Sequence, residues 1–175
     1  MPPEPPKEAR AFGARKVSCR LLSQWGRLLQ NLLTALCIDF CVDKDIILHG
    51  MRIIGSESRD YVAMVYVTQV TDDGEKSCPV VSKSGIFPSV FIRVHSKSFV
   101  YNGFNVLFDC PVDLTKNVRY RVSAIIDGPP SPRGLNFKTS IISHGVKFYF
   151  IVEEESYDFD DTQFAEFLFQ HKRLH

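Results

Sequence analysis

Between residues 101 and 127 apolar and polar side chains take turns along the chain. Phe104, Val106 and Phe108 alternate with Asn105, Leu107 and Asp109. After an interruption at Pro111 the alternation resumes. Tyr120, Val122, Ala124 and Ile126 fall on one side, and Arg119, Arg121, Ser123 and Asp127 on the other. A repeat of two sends successive side chains to opposite faces of a pleated strand. The intervening residues 111–118 include Pro, Asp, Lys and Asn, which favour turns. The pattern predicts two half-buried antiparallel strands. Tyr120, Val122, Ala124 and Ile126 are expected to face a core, with Arg119 and Arg121 outside.

The same alternation covers most of the chain. Ile38, Phe40 and Val42 alternate with Asp39, Cys41 and Asp43, and residues 46–54 form a longer apolar run that ends at Gly55 and Ser56. Residues 61–70 are rich in β-branched and aromatic side chains. Asp72, Asp73 and Gly74 then form a hairpin turn signal. Residues 128–132 (GPPSP) are a loop, Val146, Phe148, Phe150 and Val152 alternate again, and residues 164–169 form a last candidate strand. No helical pattern separates these strands, which argues against a solenoid or a parallel α/β sheet. The expected fold is all-β, an antiparallel two-sheet β-sandwich.

The first residues follow another rule. Pro2, Pro3, Pro5 and Pro6 prevent helix and ladder, so residues 1–16 are expected to be a loose arm. Leu21, Leu22, Trp25, Leu28, Leu29, Leu32, Leu33 and Leu36 recur at spacings of three and four, which suits a short amphipathic helix. The expected organisation is an N-terminal segment over 1–37, helical or disordered, a sandwich over 38–170, and a tail over 171–175.

With 175 residues, 45% of them hydrophobic, the chain can bury a core of its own. Its formal net charge of +1 sets up no field to recruit nucleic acid. Residues 1–38 carry Lys7, Arg10, Arg15, Lys16, Arg20 and Arg27 against Glu4 and Glu8, a net of +4, leaving −3 for the rest. No apolar run approaches the roughly 18 residues needed to span a bilayer. Neither nucleic acid nor a membrane is an expected partner. Five cysteines is an odd number, and the four residues from Cys37 to Cys41 would span about 13 Å on a strand, beyond the reach of a disulfide. All five are read as free thiols in a reducing compartment.

Candidate chemistry is sparse. Gly50, Gly55 and Ser56 have the spacing of a phosphate loop, but no Lys precedes the Ser and the interior is apolar. There is no G-x-S-x-G elbow, and His49, His95 and His144 are scattered beside strands. His171 and His175 stand four apart, the spacing of a metal pair on a helix, although a frayed tail is the simpler reading. Glu153, Glu154, Glu155, Asp158, Asp160 and Asp161 could gather Ca²⁺, but they lack EF-hand order. A solvated acidic loop that steers a basic partner fits them better, and Tyr157 and Phe159 inside it suit contact with a protein. No enzyme activity, cofactor or metal is expected.

Blocks in residues 40–56, 101–114, 118–129, 144–150 and 163–169 resemble, in order, those of the PHR domain family, named for Pam, Highwire and RPM. They include FCVDK with GMRIIGS, YNGFNVLFDCPVDL, VRYRVSAIIDGP, HGVKFYF and QFAEFLF. The wording is most similar to the PHR domain that ends BTB–BACK–PHR proteins. The resemblance implies a β-sandwich and a role in cullin-RING ubiquitin-ligase adaptors, in which the BTB domain engages the cullin and the PHR domain receives the substrate. Residues 1–37 are too short for BTB or BACK, so cullin binding is not expected from this chain alone. Asp160, Asp161 and Thr162 stand where the family has a Gly-rich approach to its last strand. Residues 18–25 resemble the family's lead-in to the first strand, with Trp25 in place.

The expected function is therefore a protein-binding module for substrate recognition in ubiquitination. The alternative is a regulatory or structural fragment that competes with a full-length adaptor for substrates, without ligase coupling. The loop over 128–137 is the candidate partner site, the alternative being a rigid sandwich corner that binds nothing. Its prolines, Pro129 and Pro130 among them, stiffen it. Arg133 offers a planar donor, Asn136 stands beside it, and Phe137 is either an exposed anchor or a core residue. Tyr157 and Phe159 are a second candidate contact. The expected location is cytoplasmic. The basic, leucine-rich residues 9–37, with no acid between Glu8 and Asp39, keep mitochondrial import as an alternative.

Overall fold

The alternation read from the sequence builds two layers. A computed structural model describes residues 7–10, 17–18, 36–71, 76–94, 99–131, 133–134, 139–151 and 163–172. Its strands are β1 (Lys7–Arg10), β2 (Val17–Ser18), β3 (Leu36–Val42), β4 (Ile46–Ile54), β5 (Asp60–Val70), β6 (Lys76–Pro88) and β7 (Val90–Val94), followed by β8 (Phe99–Leu114), β9 (Tyr120–Asp127), β10 (Arg133–Gly134), β11 (Ser140–Ser143), β12 (Val146–Ile151) and β13 (Phe164–His171). One sheet has the order β1-β13-β4-β8-β7 and the other β11-β12-β3-β9-β5-β6, with β10 and β2 forming a separate short ladder. Every pairing is antiparallel. The fold is an all-β, two-sheet sandwich with unclosed sheets.

The core lies between the layers. From β9, Tyr120, Val122 and Ala124 are buried, and Ile126 packs against the same cluster, as the period of two requires. Rings from opposite sheets meet across the gap. Phe40 of β3 lies 4.9 Å from Phe167 of β13, Phe148 of β12 lies 5.2 Å from Phe169, and Tyr61 of β5 stacks on Phe104 of β8 at 5.0 Å. Each such ring stabilises by about 1.5–3 kcal/mol through apolar burial, and ring pairing adds roughly 0.5–1.5 kcal/mol.

The structure corrects the sequence reading in several places. The loose arm expected over 1–16 contains β1, which pairs with β13 from Lys7 opposite Phe169 to Arg10 opposite Glu166. The ladder starts directly after Pro6, the last residue there that lacks an amide proton. Of the segment expected to be helical or disordered, Val17–Ser18 form β2 and Leu36 and Cys37 already belong to β3, while residues 19–35 lie outside the described residues. The interruption expected at Pro111 is a bulge inside one strand. Leu107 pairs with Gly50 and Val112 with Leu48, so residues 108–111 loop out of register and Pro111 needs no ladder donor.

Candidate functional site

Connections from both sheets converge on one end of the sandwich. They are the β4–β5 turn, the β6–β7 corner, the first residues of β8, the exit of β9 and the approach to β13. Backbone bonds tie them together. The Ile54 amide donates to the Gln163 carbonyl at 2.7 Å, Gly55 to Asn102 at 2.9 Å, and Ser89 to Arg59 at 2.8 Å. Gly55 lies where a Cβ would come within 2.9 Å of both Ser89 Oγ and Tyr61 Cε2. Only a residue without a side chain allows this approach.

Tyr61 organises what lies above it. Its ring is buried on Phe104, and its hydroxyl accepts the Ser56 amide proton at 2.7 Å. Gly128 rests on the ring face, where a Cβ would stand 2.4 Å from Tyr61 Cδ1. From there the chain enters the proline loop, which is fastened at two further points. The Ser56 hydroxyl donates to the Pro130 carbonyl, and Gln163 Nε2 donates to Ser131 Oγ at 2.5 Å and to the Ile54 carbonyl at 3.3 Å. Ser131 is buried, and Pro129 and Pro130 are half-buried. The result is a clamped platform.

Of the residues expected to bind a partner, Pro129 and Pro130 lie on this platform. Arg133 follows it in β10, where its backbone is opposite Ser18 of β2, so this part of the loop is a short ladder. Asn136, Phe137, Tyr157 and Phe159 lie outside the described residues, as does the acidic run 153–161. The sequence pointed to the loop through its prolines, with Ser131 among them, but not to the clamping roles of Ser56, Tyr61, Ser131 and Gln163.

The remaining polar clusters act as fasteners. On the outer face of the second sheet Asp39 is buried beneath two guanidinium groups. Arg119 bonds to it through Nε at 2.7 Å, and Arg121 through Nε at 2.5 Å and Nη2 at 2.8 Å. On the outer face of the first sheet Glu166, 2% exposed, accepts from Tyr101 Oη at 2.7 Å and Arg52 Nη1 at 2.9 Å. At the opposite end, Asp45 accepts the Lys116 amide at 2.8 Å, Asp43 accepts the Lys147 amide at 2.7 Å, and His171 Nε2 lies 2.8 Å from the His144 carbonyl. There Lys172 donates to Asp113 at 2.7 Å, and that bond and the carboxylate charge raise its pKa. Cys37, Cys41 and Cys110 are free thiols, and burial pushes Cys41 above the ordinary thiol value. Among the described residues no group of three or more His, Cys, Asp or Glu is placed to hold a metal ion. Nor is there among them a helix long and apolar enough to cross a membrane.

A family model described as the PHR domain matches residues 30–170. None of the curated proteins matches the chain.

Proposed function

The chain belongs to the PHR domain family, and on that premise we propose that it receives a protein substrate on the platform of Pro129 and Pro130 and on Arg133 beside it. In this reading it serves substrate recognition for BTB-type cullin-RING ubiquitin ligases, and it works by binding rather than by catalysis. The observation that carries the proposal is the clamping of the proline loop by Ser56, Gln163 and the Gly128–Tyr61 contact. A loop fixed before its partner arrives loses little conformational entropy on binding, which leaves more of the contact energy for affinity. Loops held on a rigid scaffold are also the usual carriers of recognition. The free thiols Cys37, Cys41 and Cys110 support a reducing, cytoplasmic setting.

The test compares wild type with Arg133→Ala in capture of proteins from a cytoplasmic extract, each bound protein being quantified. The expected result is an unchanged melting temperature and binding weaker by more than about 1 kcal/mol for the specific partner. Equal recovery of the same proteins would make this region a connector.

A further inference from the structure

We propose that the outer face of the second sheet is a second docking surface, one that takes a basic amphipathic helix from a protein partner. The inference rests on the reading of the chain as a protein-binding module but not on the proline platform. Val62, Met64, Ile86 and Ile125 are 54%, 46%, 71% and 50% exposed. Register places them side by side. Val62 is opposite Ile86 on β6, Met64 is opposite Ile125 on β9, and Val62 and Met64 are two residues apart on β5. Their strand neighbours Tyr61, Ala63, Val65 and Phe87 point the other way, into the core. Strands about 4.8 Å apart make this apolar strip about 10 Å wide, close to the diameter of a helix with its side chains. An apolar group of this kind, contiguous and exposed on a sheet face, marks an interaction site.

Charge selects the occupant. Asp127 is opposite Val62, and Asp60 precedes Val62 by two residues on the same face. Both carboxylates are exposed, and neither makes an ion pair among the described residues. They border the strip at one end. An anionic bilayer would be repelled by them, and an acidic helix likewise. A helix with an aliphatic stripe flanked by Lys or Arg would satisfy both the strip and its border.

The probe is a fluorescent helical peptide of leucine and lysine, with a leucine and glutamate peptide of the same pattern as control. Binding to the full chain is followed by anisotropy. The lysine peptide should bind saturably, and the glutamate peptide about tenfold more weakly. The pair Val62→Ser with Ile86→Ser should weaken the lysine peptide about tenfold at an unchanged melting temperature, since both side chains are exposed. The pair Asp60→Asn with Asp127→Asn should weaken it and flatten its salt dependence. Equal binding of the two peptides, or equal binding by wild type and variants, would overturn the inference. So would capture of phosphatidylserine vesicles that is lost in the Val62→Ser, Ile86→Ser variant. If Arg133→Ala abolishes peptide binding while the outer-face variants retain it, the helix site belongs to the platform and only this inference falls. The module reading falls separately, if wild type captures no protein from extract.

Discussion

Gly128 shows how a single residue governs the loop end. At Gly128 a Cβ would collide with the Tyr61 ring, so Gly128→Ala should lower stability by about 1–3 kcal/mol, as overpacking does. The midpoint of urea unfolding reads this directly, and an unchanged midpoint would mean that the ring yields without cost. The thiols give a second test. Burial raises the Cys41 pKa, whereas Cys110 is exposed, so iodoacetamide should label Cys110 before Cys41, as followed by peptide mass spectrometry. With a raised folded value, the native chain keeps this proton after the unfolded chain has lost it. Native stability from this group is therefore full below the ordinary value of 9.0 and declines as pH climbs above it. At this scale the core was legible in the sequence, because Tyr120, Val122 and Ala124 needed only the period of two. Asp39 was not. Its parity placed it outside, and nothing local indicates that Arg119 and Arg121, some eighty positions away, cover it.

Strands with clean alternation or apolar runs, such as β3, β4, β5, β9 and β12, follow from pattern alone. β5 and β6 pair antiparallel up to Val70 opposite Lys76, on either side of the turn signal Asp72, Asp73 and Gly74, which lies outside the described residues. The end of β6 and the start of β7 were harder to see, since Gly85, Pro88 and Ser89 interrupt the apolar pattern where the chain passes from one sheet to the other. Pro111 misled for a related reason, because a bulge removes the need for the proton that proline lacks. β1 was hidden by the prolines before it. Its ladder on β13 makes removal of residues 1–16 a test at this scale. Net backbone hydrogen bonds contribute about 0.5–1.5 kcal/mol each, offset by the entropy of ordering the strand, so the loss should be about 1–2 kcal/mol. Amide exchange across residues 166–169 should quicken in the shortened protein. Unchanged exchange would mean that the edge of β13 stands without β1.

For the whole molecule, the sandwich separates two ends of different character. One end is trimmed by aspartates and lysines around the β8–β9 turn. The other gathers glycine, proline and serine on a buried tyrosine. The eight residues of β9 hold Lys116 and Pro129 about 26 Å or more apart, at opposite ends. The family and its fold were legible in five ordered blocks of sequence, and the match to residues 30–170 covers them all. The platform was legible only as a proline-rich loop, because the groups that clamp it come from distant parts of the chain. The central claim is that partners are received at the proline end. Site-specific photocrosslinking from position 129 and from position 116, in the same extract, measures this most directly. The account predicts a specific crosslinked protein from position 129 and none from position 116. The same protein crosslinked from 116 and absent at 129 would contradict it.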